Sequence, residues 1–336
     1  LPTWPKPCNT AVFRAASAPR DRPPRTPGHN AGMNAPSPTQ RREHLDLQAA
    51  IVLVVCCCFW GFQQVMVKAT IPEVPSVFQA GIRFTGASLL VILWCQVRKV
   101  PLLPITPGRD PAFWPGLLAG ALFAGEFAFL QLGLLHIPAS RLTVFLYTSP
   151  FWVAALVPLV VASERLKRLQ WAGLLLAFVA VVFALRESWG AGQSQSLWGD
   201  LLALGAGACW GLTTVVIRAS SLARVSAEKL LFYQVAFSGP ALLLMSATMG
   251  EPWAWPSSAF AWISLGLQIA VGAFASFFTW MWMLGRYPAT KLSSFVFLTP
   301  LFALVFGALW LNEPITPGLM ASMVCVAAGI ILVNRK

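Results

Sequence analysis

Charge is what this sequence has least of. Only 11% of its 336 residues are Asp, Glu, Lys or Arg, against roughly 25% in a soluble domain. That deficit excludes a chain whose whole surface faces water. There are three histidines, His29, His44 and His136. None is deep in an apolar run or paired with cysteine, so no metal-ligand or His-based nucleophile set is expected. HExxH, Walker and GxSxG patterns are all missing. Their absence argues against a metalloprotease, an ATP-driven pump and a serine hydrolase, so neither enzyme nor cofactor is expected. Six of the seven cysteines (Cys56, Cys57, Cys58, Cys95, Cys209 and Cys325) fall in apolar runs without metal spacing. They read as small buried hydrophobes.

What is there is hydrocarbon. The composition is 57% hydrophobic, in continuous runs near the ~20 residues that cross a bilayer. Continuous rather than alternating runs favour helices over barrel strands. The runs predict an all-α membrane protein with ten transmembrane helices. They lie near 47–68, 76–97, 113–135, 140–162, 168–186, 197–217, 229–249, 261–284, 290–311 and 315–333. Tryptophans such as Trp94, Trp171 and Trp310 stand near the run ends, as in an interfacial belt.

The net charge of +12 resembles a nucleic-acid signal, but its placement does not. The cations sit in short loops without interleaved aromatics. From Met33 onward, one alternating set of loops carries fifteen Lys and Arg; the other carries three, Lys68, Arg141 and Arg186. The positive-inside rule then puts both termini in the cytoplasm. Residues 1–46 read as a disordered tail. Residues 1–32 are rich in Pro and Arg, with no signal-peptide core, and Met33 is the expected natural start.

The chain also repeats itself about 150 residues apart. PASRLTVFLYTSP at Pro138–Pro150 returns as PATKLSSFVFLTP at Pro288–Pro300, and Trp60-Gly61 returns as Trp210-Gly211. Glu164 and Glu313 follow the two proline motifs at nearly equal distance. Each copy, 47–186 and 197–334, holds five spans. An odd number makes tandem copies enter the membrane in opposite directions. The loops agree: SERLKR after the first motif is basic, and NEPITP after the second has no cation. Two inverted five-helix repeats are a recurrent architecture of secondary transporters.

On these residues the chain resembles the EamA family of the drug/metabolite transporter superfamily, with two EamA units. The resemblance rests on Trp60-Gly61 with Lys68, Arg83-Phe84, Pro138-Ala139-Ser140 through Ser149-Pro150, and Glu164. Trp210-Gly211, Pro288 through Thr299-Pro300, and Asn312-Glu313-Pro314 extend it into the second copy. It implies a ten-helix inner-membrane carrier, commonly an exporter of amino acids or related metabolites. Drug efflux is the alternative, and a non-transporting scaffold a more distant one.

Several residues are candidates for the transport site. Arg83 and Glu126 are charges at matched depth, about 10–15 Å below one surface at 1.5 Å rise per residue. They read as a structural ion pair or as a substrate or proton site, because an intramembrane charge needs a partner or water. The repeat maps them onto Tyr233 and Ser276, so the charges belong to one half only. Gln63 and Gln64 match Thr213 and Thr214 at one repeat position. They can bond substrate or neighbouring helices, and Gln131 carries the same two readings. Trp60, Trp210, Tyr147, Tyr233, Phe145, Phe295 and Trp280 line an apolar cavity or simply pack. Pro150 and Pro300 are paired gate hinges or static kinks. Arg141 and Lys291 attract anions or snorkel to the interface. The expected partners are a small-molecule substrate, lipid and a coupling proton, not nucleic acid. Oligomeric state is not encoded in any visible motif.

Overall fold

The structure, a computed structural model, describes residues 45–102, 110–134, 136, 142, 145–186, 197–311 and 317–335. The motif residues 137–141 and 312–316, including Arg141 and Glu313, lie outside the described residues. Residues 40–336 form one compact unit.

Among the described residues the chain is helical, without strands. The helices are α1 (Leu47–Thr70), α2 (Ser76–Arg98), α3 (Phe113–Leu134), α4 (Ser149–Val160), α5 (Arg168–Arg186), α6 (Leu197–Ala219) and α7 (Ala227–Thr248). They continue with α8 (Ala259–Arg286), the three-piece α9 (Ala289–Ser294, Phe295–Phe297, Leu298–Leu311) and α10 (Pro317–Asn334). Six of these, α1, α2, α3, α6, α7 and α8, are long and apolar enough to cross a membrane. Shorter apolar stretches lie at Ser149–Val160, Arg168–Ala180, Ala289–Ala303 and Val324–Asn334.

Local chemistry fixes several ends. Asp46 accepts the Ala49 N–H at 2.8 Å and starts α1. Ser226 and Ser258 cap α7 and α8 in the same way. Lys99 closes α2 in the left-handed region, φ 53°, where the chain can leave a helix. Two elements depart from regular helix. The segment Gln268–Ser276 within α8 is π-helical, and Phe295–Phe297 within α9 is a 3-10 turn. The fourth span also differs from its sequence reading: α4 begins at Ser149, after a turn at Tyr147–Thr148. Pro150 therefore opens α4 instead of kinking its middle.

The packing repeats with a shift of five elements. α1 rests on α9, and α6 on α4. α3 touches α6 and α7, while α8 touches α1 and α2. α2 pairs with α7, α4 with α9 and α5 with α10. Atomic contacts follow the same rule. A Cβ on Gly61 would lie 2.7 Å from Phe302 Cβ, and one on Gly211 would lie 2.4 Å from Trp152 Cβ. The Cys57 thiol donates to the Phe295 carbonyl at 3.3 Å, and Gly207 closes on the carbonyl of Phe145, its repeat counterpart. Two Gly-x-x-x-Gly pairs serve packing within the chain: Gly116 and Gly120 lie against Tyr233, Gly207 against Phe145–Thr148 and Gly211 against Trp152 of α4.

Polar contacts gather at the two ends of the bundle. At one end Arg218 pairs with Glu164 at 2.9 Å, Tyr287 with Asp46 at 3.1 Å and Lys229 with Asp110 at 2.5 Å. At the other, Glu73 accepts four hydrogen bonds from the N–H and hydroxyl groups of Ser257 and Ser258. Glu251 there accepts the N–H groups of Val77 and Phe78 at the start of α2.

Candidate functional site

One stripe of α1 carries Leu53, Cys57, Trp60, Gln64 and Lys68, spaced by three or four residues and so on one helix face. Leu53 and Cys57 are fully buried. Trp60 is half-buried, and Gln64 and Lys68 are exposed. The interior face of α1 therefore opens toward the Thr70 end. The equivalent stripe of α6 is Ala203, Gly207, Trp210, Thr214 and Arg218. There Thr214 and Arg218 are buried, so the two stripes differ in access.

Aromatic rings form one wall beside this opening. Trp60 meets Phe277 and Trp280 edge-on at 5.9 and 5.8 Å. Its indole N–H donates to Ser276 Oγ at 2.7 Å. Phe84, Phe123 and Phe127 extend the wall, with Phe84 and Phe127 4.7 Å apart and Phe123 5.6 Å from Phe277. Across the site Tyr147 lies 6.1 Å from Trp210, and Gln64 Nε2 donates to its hydroxyl at 3.5 Å.

Arg83 and Glu126 are set into these walls, 7% and 6% exposed. The Arg83 guanidinium lies over the rings of Phe84 and Phe127, at 4.7 and 5.2 Å. Such faces attract a cation. Its Nε is buried without a hydrogen-bond partner. Arg83 and Glu126 interact electrostatically, yet no ion pair joins them among the described contacts. Glu126 also acts electrostatically on Tyr147 of its own half and on Cys209 of the other. Ser276 holds the corresponding position in the second copy, beside Trp60, while Gly125, next to Glu126, approaches Cys209 Sγ.

The sequence candidates divide accordingly. Trp60, Gln64, Arg83, Glu126, Tyr147, Trp210 and Trp280 fall in this connected region. Four candidates do not converge with them. Gln63 presses on the backbone of Gly272, its Oε1 2.0 Å from where a Cβ would stand. Thr213 and Thr214 donate to the Cys209 and Trp210 carbonyls of their own helix. Tyr233 donates to Asp110 Oδ2 at 3.3 Å, at the basic end of the bundle. The Lys229 hydrogen bond there also holds the Asp110 carboxyl below its ordinary range. Pro150 and Pro300 stand just after equivalent breaks, the turn at Tyr147–Thr148 and the 3-10 turn at Phe295–Phe297. Sequence reasoning missed Phe123, Phe127 and Phe277, which no motif distinguishes from other apolar residues, and took Phe84 only as part of the Arg83-Phe84 motif. Among the described residues no group of three metal-ligating side chains converges.

Two sequestered charges among aromatic rings, inside an apolar bundle, suit recognition of a small solute. Comparison with known proteins agrees. The profile of the EamA-like transporter family matches residues 47–186 and again 197–335. The chain belongs to the EamA-like transporter family. It is 30% identical to "Uncharacterized transporter YvbV" of Bacillus subtilis, over 86% of this chain and 92% of that one. It is 27% identical to a "Probable amino-acid metabolite efflux pump" of Salmonella typhimurium, over 84% of this chain and 92% of that one. A solved crystal structure shares its fold with a TM-score of 0.71 at 18% identity, over 86% of this chain and 98% of that one. This EamA protein is thus a membrane transporter with an all-helical fold.

Proposed function

We propose that this EamA protein is an inner-membrane secondary carrier that exports amino acids or closely related zwitterionic metabolites. The observation that carries the reading is the pair Arg83 and Glu126. Two opposite charges are buried close enough to interact, and neither spends its charge on a direct bond to the other. Buried charges are costly unless paired and hydrogen-bonded. A ligand with a carboxylate for Arg83 and an ammonium for Glu126 supplies both partners at once. Gln64 and Tyr147 offer further polar contacts, and the Trp60–Trp280–Phe277 wall suits an apolar side chain.

Transport follows from the two halves, 47–186 and 197–334, acting as inverted five-helix repeats about the site. The pairwise matching of contacts under a shift of five elements supports this. Both termini then face the cytoplasm with the basic loops, and Pro150 and Pro300 mark hinges. A second reading, efflux of apolar drugs, is favoured by the number of aromatic rings at the site. It makes the charges dispensable. Glu126 is also the group placed to carry a coupling proton.

Thermal unfolding in detergent separates these readings. A ligand that binds only the folded state raises the melting temperature with concentration. Free amino acids are expected to raise it. Their amides and N-acetyl derivatives, each lacking one charge, are expected to have no effect. Equal shifts from the charge-deleted derivatives, or shifts from apolar cations alone, would reject the zwitterion reading.

A further inference from the structure

We propose that Glu164 and Arg218 are the gate of the basic end of this carrier, an ion pair that breaks whenever the site opens to that side. The proposal rests on the alternating-access reading above. The pair is at 2.9 Å, with side-chain exposures of 3% for Glu164 and 0% for Arg218. It joins elements that must separate for an opening to form. Glu164 ends the short turn after α4, and Arg218 lies at the end of α6. Arg218 also donates to the Tyr287 carbonyl at the α8–α9 junction. Glu164 Oε2 accepts the Thr290 N–H of α9 at 3.3 Å. The Tyr287 hydroxyl in turn donates to Asp46 at the head of α1, at 3.1 Å. One cluster thus ties α1, α4, α6 and α9 together across the end of the site.

Two observations make this a gate and not a permanent staple. First, Lys68 occupies in the first copy the position that Arg218 occupies in the second, and Lys68 is exposed while Arg218 is sealed. Gln64 and Thr214, one turn deeper, repeat the contrast: Gln64 is exposed and Thr214 is 3% exposed. The same repeat positions are therefore seen open at one end and closed at the other, as expected of one half-cycle of a two-state machine. Second, the Arg218 cluster is incompletely satisfied. Its Nε and Nη1 are buried without hydrogen-bond partners. A buried pair of that kind contributes little net stability, so it suits a contact that must open and reclose.

The test reads access to a reporter and needs no substrate. In a background without native cysteines, Thr214→Cys and Gln64→Cys are labelled with a membrane-impermeant maleimide, in vesicles of each orientation. With the gate intact, Gln64→Cys is expected to react from the side opposite the basic loops, and Thr214→Cys from neither side. Glu164→Gln and Arg218→Met are each expected to raise labelling of Thr214→Cys from the basic-loop side by about tenfold or more, and to lower labelling of Gln64→Cys. The exchange Glu164→Arg with Arg218→Glu is expected to restore the closed pattern, which guards against variants that merely misfold. Unchanged labelling of Thr214→Cys in folded, monodisperse Glu164→Gln would overturn the gate. Labelling raised at Thr214→Cys but unaltered at Gln64→Cys would uphold the gate and tell against alternating access instead.

Discussion

At the scale of single residues, the proposed site turns on buried charge. Arg83 sits between aromatic faces and is 7% exposed, and Glu126 is 6% exposed. Neutralising either one leaves the other without the opposite charge it interacts with, and an uncompensated charge is costly in a low-dielectric interior. Arg83→Gln and Glu126→Gln are each expected to lower the melting temperature, whereas the double variant recovers part of that loss. A double-mutant cycle on thermal unfolding measures the coupling, and strict additivity would show that the two charges do not interact. Transport by Glu126→Gln is expected to lose its pH dependence. Full pH-dependent flux in that variant would remove the proton role.

Glu73 makes a separate residue-scale case. Four hydrogen bonds from Ser257 and Ser258 hold its carboxyl down at about 2, below the usual carboxylate range near 4.5. The folded value is depressed, so the stabilisation is fully present above about 4.5 and is lost as pH falls toward about 2. The clip between the α1–α2 and α7–α8 loops should therefore persist through all neutral and mildly acidic conditions. Proteolysis of the 249–258 loop is expected to accelerate only below that window in wild type, and at every pH in Glu73→Gln. Equal cleavage of the two proteins at neutral pH would dispose of the clip.

At the scale of helices, close approach is bought with glycine. A Cβ on Gly61 would stand 2.7 Å from the Ala303 backbone nitrogen and 2.8 Å from the Thr299 carbonyl. Backbone atoms cannot swing aside, so Gly61→Val must separate α1 from α9. Overpacking of this kind costs about 1–3 kcal/mol. Gly211→Val is expected to behave likewise against Trp152, whereas Gly266→Ala, with nothing within 4 Å of its Cβ, should be neutral or mildly stabilising. Melting temperatures of the three variants check the ranking. The helices themselves were legible because their apolar runs are long and uninterrupted. The breaks were not. A π-helical stretch at Gln268–Ser276 has no composition of its own, and it is where Gln63 meets Gly272. The charges Arg83 and Glu126 were visible because they are rare in such runs. The neighbour of the Tyr233 hydroxyl was not legible, because repeat position predicts depth in the fold but not which partner a hydroxyl finds; here that partner is Asp110.

At the scale of the molecule, contacts repeat between halves while chemistry does not. Gly61 of the first half against Phe302 of the second, and Gly211 of the second against Trp152 of the first, make the same packing twice. Glu126 and Ser276, or Lys68 and Arg218, place different side chains at matched positions. In the carrier proposed above, shared packing would let two halves rock about a common site, and unlike residues would let that site prefer one solute. Counterflow tests the combination directly. Liposomes containing the purified protein are loaded with a mixture of unlabelled amino acids and diluted into trace labelled ones, with no ATP and no ion gradient. A transient accumulation of label above its equilibrium level is expected in wild type and is expected to vanish in the Arg83→Gln/Glu126→Gln variant. Label that only equilibrates in wild type, or the same overshoot in the double variant, would contradict an alternating-access carrier built around those two charges.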